Sequence, residues 1–177
     1  MQTFLPLPDY CMSAEVLDDK RLGKQRVEVK QILLALGVNI GQHRGDTSSS
    51  WRSHPCVKMW KGYESELLCY GLECCSEWIH RGYKDSLMIE FLSALKQFTH
   101  QSLEPQPPAF LFNPEFTRSH QSNLVRKDSS YYGRLFPSVP NDLPYLWPVQ
   151  QENGKWEYIL GIQRETTVEP ASYRPSK

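Results

Sequence analysis

Asp18-Asp19-Lys20-Arg21-Leu22-Gly23-Lys24-Gln25-Arg26-Val27-Glu28 is a basic stretch that opens an otherwise apolar segment. Val29, Ile32, Leu33 and Leu36 follow at the three- and four-residue spacing of one helix face. With Ser13 as N-cap and Gly37 as stop, the pattern predicts a helix over 14–36 whose first half is basic and whose second half is core. Lys20, Arg21, Lys24, Arg26 and Lys30 put five cations into eleven residues, opposed there by Glu28 alone. The chain as a whole is neutral, with 20 Lys+Arg against 20 Asp+Glu. Such focusing in a neutral chain builds a local field rather than a generally adhesive surface.

Working outward, Gly41, Gly45 and Ser48-Ser49-Ser50 mark 37–52 as a polar, mobile loop. Ser53 and Pro55 open a second helix that Val57, Trp60, Tyr63, Leu67, Gly71, Cys74 and Trp78 carry to about Arg81, with Gly82 as its stop. A third helix spans about 86–99, and residues 103–114 form a Pro-rich extended connector. Asn113-Pro114-Glu115 restarts a helix that lasts to about Lys127. A second basic cluster, Arg118, Arg126, Lys127 and Arg134, lies among Tyr131, Tyr132 and Phe136. Basic residues interleaved with aromatics suit a partner that offers phosphates and flat bases. Asn153-Gly154, between Tyr145-Leu146-Trp147 and Trp156-Glu157-Tyr158-Ile159, signals a β-hairpin. Residues 165–177 read as a loose tail.

The expected fold is therefore mainly α: a compact single-domain helical bundle over 1–136, then a Pro-rich connector, small β-hairpin and tail over 137–177. At 177 residues the chain is long enough to bury a sizeable core. No apolar run approaches the roughly 18 residues of a membrane span, and the start lacks the charged and apolar regions of a signal peptide. Five scattered cysteines argue for buried thiols and a reducing cytoplasm rather than a disulfide framework. The five histidines show no zinc-ligand spacing, and there is no Gly-rich phosphate loop, so neither metal nor cofactor is expected.

Two places resemble the phage-type pyrimidine-dimer DNA glycosylases, also called phage endonuclease V. One is the basic helix, with Arg21 and the pair Arg26-Val27; the other runs from Leu124 through Arg126-Lys127 to Tyr131-Tyr132-Gly133-Arg134. The long aromatic helix ending in Arg81-Gly82-Tyr83 is similar in kind to the family's central helix. The resemblance implies an N-terminal α-amine that attacks the sugar C1′, displaces the base through an imine and then cleaves the strand by β-elimination. It also implies a nearby carboxylate that stabilises the cationic sugar and moves protons, and duplex DNA as partner of a monomeric enzyme.

An α-amine suits imine chemistry: with a reference pKa of about 7.7–8.0, roughly a tenth of it is unprotonated at pH 7. In this chain the bulky Gln2 discourages removal of the initiator methionine, which gives the amine to Met1 unless unusual processing exposes Gln2 or Thr3. Alignment on Arg26-Val27 puts Gly23 where the family keeps its glutamate. Asp19, one turn earlier on the same face, is then the leading acid/base candidate, with Asp18 or Glu28 as alternatives. Asp18 and Asp19 also suit a helix N-terminus for electrostatic reasons alone, and Asp18 is spaced to pair with Arg21. Lys20, Arg21, Lys24, Arg26, Arg126, Lys127, Tyr131, Tyr132 and Arg134 are the expected DNA contacts. At least one of Arg21 and Arg26 is expected to pair with a carboxylate inside the protein. Gly23, Trp51 and His120 are candidate pocket residues. Competing readings are a different DNA base-modification reaction on the same fold, a non-catalytic nucleic-acid-binding module, or a basic helix that docks an acidic protein.

Overall fold

A computed structural model describes residues 1–98, 106–151 and 156–161. Residues 1–9 carry no helix or strand. Asp9 caps the first helix, α1 (Tyr10–Glu15), by accepting a hydrogen bond from the Met12 amide. Asp18 caps α2 (Asp19–Ala35) by accepting from the Arg21 amide at 3.0 Å. The single helix expected from Ser13 is thus two helices, because each aspartate satisfies free amides at its own helix start. Ser13 is buried instead, its hydroxyl bonded to both backbone groups of Leu7.

Gly37 ends α2 region at φ 92°, as its position predicts. The loop beyond is tied down at its start and again at Asp46. Ile40 and His43 form an isolated bridge, Ile40 is buried, and the Asp46 amide donates to the Leu34 carbonyl at 2.8 Å. A 3₁₀ turn, Ser50–Ser53, leads to α3 (Pro55–Trp60), whose cap is the His54 ring rather than Ser53. The expected long helix breaks at Gly62, whose φ of 84° favours glycine, and resumes as α4 (Glu64–His80). Gly82 is its stop, at φ 87°. Next come α5 (Leu87–Leu95) with a 3₁₀ turn at Lys96–Phe98, and a 3₁₀ turn at Ala109–Phe112 inside the expected connector. The helix capped by Asn113, α6 (Pro114–Lys127), has its predicted limits. The Tyr131-Tyr132 segment is itself helical, α7 (Ser129–Leu135), capped by Asp128.

Strands β1 (Tyr145–Gln150) and β2 (Trp156–Gly161) form the expected antiparallel hairpin, with Trp147 opposite Ile159. Its Asn153-Gly154 turn and the 165–177 tail lie outside the described residues. The core lies where α4 packs across α1, α2 and α5, and β1 closes it by packing on α3 and α6. At Gly71 a Cβ would fall 2.8 Å from Val29 and 2.9 Å from Phe91, so glycine lets α4 approach both neighbours closely. The thiols of Cys56 and Cys75, pushed up to about 12 by burial, are neutral packing groups. Among the described residues no helix is long and apolar enough to cross a membrane.

Candidate active site around the N-terminal amine

The first residues make no backbone ladder, so side chains take up their polar groups. The Gln2 amide donates to Glu28 Oε2 at 2.9 Å, and Gln25 Nε2 donates to the Gln2 carbonyl at 3.2 Å. Gln25 Oε1 accepts from the Phe4 amide at 2.9 Å and from the Tyr70 hydroxyl at 3.0 Å. Thr3 Oγ1 accepts from the Trp60 indole, and Gln121 donates to the Pro6 carbonyl. Gln25 and Glu28 thus face inward on the stripe of Leu22, Val29 and Ile32. Polar residues within that apolar stripe were the visible signal for Gln25, which the sequence reading passed over.

This anchoring sets the α-amine of Met1 3.7 Å from Glu28 Oε2. Glu28 is buried, and the exposed Lys24 ammonium lies 3.4 Å from its other oxygen. Amine and carboxylate open into a cavity of about 310 Å³, walled by Lys20, Arg21, Lys24 and Lys127. Lys127 is exposed as a residue, but its ammonium lies 5.9 Å from the Phe4 ring centre. Desolvation there, and then the charges of Arg21, Arg126 and Lys24, lower its pKa. Met1 also borders a second cavity of about 510 Å³, lined in part by Gln31, Gln42, His43 and Arg44, with the exposed Trp51 at its edge.

Asp19 is not brought to the amine. Its carboxylate accepts from the Tyr83 hydroxyl at 2.6 Å and from Arg81 at 2.9 Å. Those bonds hold it below the ordinary aspartate range and anchor it to the end of α4. Gly23 does not line the pocket either: a Cβ there would lie 3.0 Å from the Trp78 ring. The α2 face carrying Asp19 and Gly23 packs on α4, and the face carrying Gln25 and Glu28 meets the N-terminus.

Both arginines of the basic stretch have internal partners. Arg21 pairs with Asp18 and lies 5.4 Å from the Tyr132 ring centre, yet still reaches the basic cavity. Burial alone would raise the Asp18 carboxyl, but bonds from Tyr132 and Arg21 hold it below its usual value. Arg26, an expected DNA contact, pairs with the fully buried Asp85 carboxylate and sits 4.3 Å over Trp78. Tyr132 is likewise buried, its hydroxyl donating to Asp18 at 2.6 Å. Tyr131 is half-buried, while Arg126 and Arg134 are exposed. His120 is a core residue between Phe116 and Tyr145, neither surface nor pocket.

No curated protein and no solved structure matches the chain. The family model described as pyrimidine dimer DNA glycosylase matches residues 1–91, the segment that supplies the amine, Gln25, Glu28 and most of the basic cavity. By that match over half its length, the chain belongs to the pyrimidine dimer DNA glycosylase family.

Proposed function

We propose that the protein is a bifunctional glycosylase and abasic-site lyase acting on duplex DNA, with the α-amine of Met1 as nucleophile and Glu28 as its acid/base partner. The observation that carries this reading is the 3.7 Å approach of the α-amine to the buried Glu28 carboxylate inside a basic cavity. In the reaction, the unprotonated amine attacks C1′ as the glycosidic C–N bond breaks, and the base leaves with that electron pair and a proton. Ring opening gives a protonated imine at C1′. A carboxylate then takes a C2′ proton, and the C3′–O bond breaks to release the 3′ phosphate. Glu28 relays protons in these steps and balances the cationic sugar. Lys20, Arg21, Lys24 and Lys127 hold the phosphates. Trp51 offers an indole face to a displaced base beside the amine; Trp51→Ala should slow base release yet leave cleavage at a pre-formed abasic site unchanged.

The test is borohydride trapping on duplex DNA with an abasic site, using the untagged protein and an N-terminally acetylated control. A covalent adduct lost on acetylation is the expected result. Salt-sensitive DNA binding without any adduct would overturn the proposal and leave a binding role or another base chemistry.

A further inference from the structure

We infer that α6 and the C-terminal hairpin, which lie beyond the family-matched segment, complete the reaction machinery. His120 and Tyr145 act as positioning residues that set the register of the N-terminal segment and so deliver the amine to Glu28. This inference rests on the amine-based reading above.

The Leu5 amide donates to His120 Nδ1 at 2.9 Å across 115 residues of sequence. The Tyr145 hydroxyl donates to the Thr3 carbonyl at 2.8 Å across 142. That hydroxyl also lies 3.2 Å from Nδ1, but the ring nitrogen already receives the Leu5 proton, so the hydroxyl proton goes to Thr3. Nδ1 can accept only if the proton sits on Nε2. Burial fixes this neutral form by pushing the His120 pKa down to about 3. Nε2 makes no regular hydrogen bond, so the working atom of the ring is Nδ1. Thr3 and Leu5 are both fully buried, leaving the segment no solvent to exchange these bonds with. Alternate residues are thereby pinned from the C-terminal half, immediately behind the amine. A slip of one residue would break both bonds and withdraw the nitrogen from the carboxylate by one peptide unit, about 3.8 Å. An error of about 1 Å in a reacting group is enough to cost about 100-fold in rate.

The experiment compares wild type, Tyr145→Phe, His120→Leu and His120→Asn, each confirmed as folded by its cooperative melting. It measures the first-order trapping rate at saturating abasic-site DNA, and the affinity for that DNA separately. Tyr145→Phe and His120→Leu should trap at least about 10-fold more slowly with affinity within about twofold. The Asn amide oxygen occupies the place of Nδ1, so His120→Asn should recover most of the rate. Wild-type rates in both Tyr145→Phe and His120→Leu would overturn the inference while leaving the amine chemistry standing. So would equal losses in His120→Leu and His120→Asn, or losses confined to affinity. Should His120→Leu not fold, Tyr145→Phe against His120→Asn decides by the same criteria. Absence of trapping in the wild type strikes the underlying reading instead.

Discussion

Glu28 holds the peptide amide of Gln2 at 2.9 Å and the α-amine of Met1 at 3.7 Å on the same carboxylate oxygen. One bond is structural and fixes the chain; the other contact is free to become chemistry. Replacing Glu28 by Gln keeps an acceptor for the Gln2 amide and removes the charge. Trapping and strand cleavage by Glu28→Gln should fall by about 10²–10⁴-fold, the usual worth of a positioned acid/base. Asp19→Asn, which disturbs only the exposed contact with Arg81 and Tyr83, should stay within about twofold of wild type. Single-turnover cleavage of abasic-site DNA measures both. The opposite ranking would return the role to Asp19.

The identity of the first residue matters chemically. A chain beginning at Gln2 would carry its amine already against Glu28, but an N-terminal glutamine cyclises onto its own side-chain amide, expelling ammonia and destroying the nucleophile. On the proposed mechanism, an amine carried by Met1 would not be lost in this way. Protein beginning at Met1 should trap with a yield that stays constant on storage. Protein released to begin at Gln2 should lose trapping in step with the loss of 17 mass units expected for cyclisation (about 17 Da for ammonia), followed by intact-mass spectrometry.

The cations of α2 divide between internal ion pairs and the wall of the basic cavity. Arg26 neutralises Asp85, whose side chain is wholly buried, so Arg26→Ala strands a charge inside the protein. Its unfolding free energy should drop by about 3–5 kcal/mol, with the salt dependence of DNA binding unchanged. Lys20 is exposed at the basic cavity. Lys20→Ala should leave stability alone and reduce the slope of log affinity against log salt by about 1. Denaturant melts and salt titrations on both variants separate the two.

Much of the architecture was legible because its signals are local. Gly37, Gly82 and Asn113-Pro114 each act within a turn of chain, and each stands where the sequence put a boundary. Gly62 also acts locally, but the apolar spacing from Val57 to Trp78 runs through it, and periodicity alone concealed the break. At the site, the basic stretch could be read directly, whereas the amine came only with the family resemblance. Which of Asp19, Asp18 and Glu28 approaches the amine could not be read, because helical spacing places Asp19 and Gly23 on one face without saying which face meets the N-terminus. Packing of Trp78 on Gly23 settles that, and it lies 55 residues away in sequence. The contacts of His120 and Tyr145 with residues 3–5 span still longer separations and leave no local pattern at all.

His120 also makes a prediction about acid stability. Its folded pKa is pushed to about 3 by burial, whereas an unfolded histidine titrates near its ordinary value of about 6.5. Between those values the unfolded chain binds a proton that the folded protein excludes. Stability therefore rises with pH across this window, and is lost as the pH falls below about 6.5. Going from pH 7 to pH 5, this single group should remove about 2 kcal/mol. His120→Asn, which cannot take up the proton, should flatten that part of the profile while lowering acid sensitivity. Urea melts of the two proteins between pH 5 and 7 measure the difference. Parallel profiles would mean that the ring takes up its proton as readily in the fold as in the unfolded chain, and Nδ1 would then be unable to accept from Leu5 at the acid end of this range.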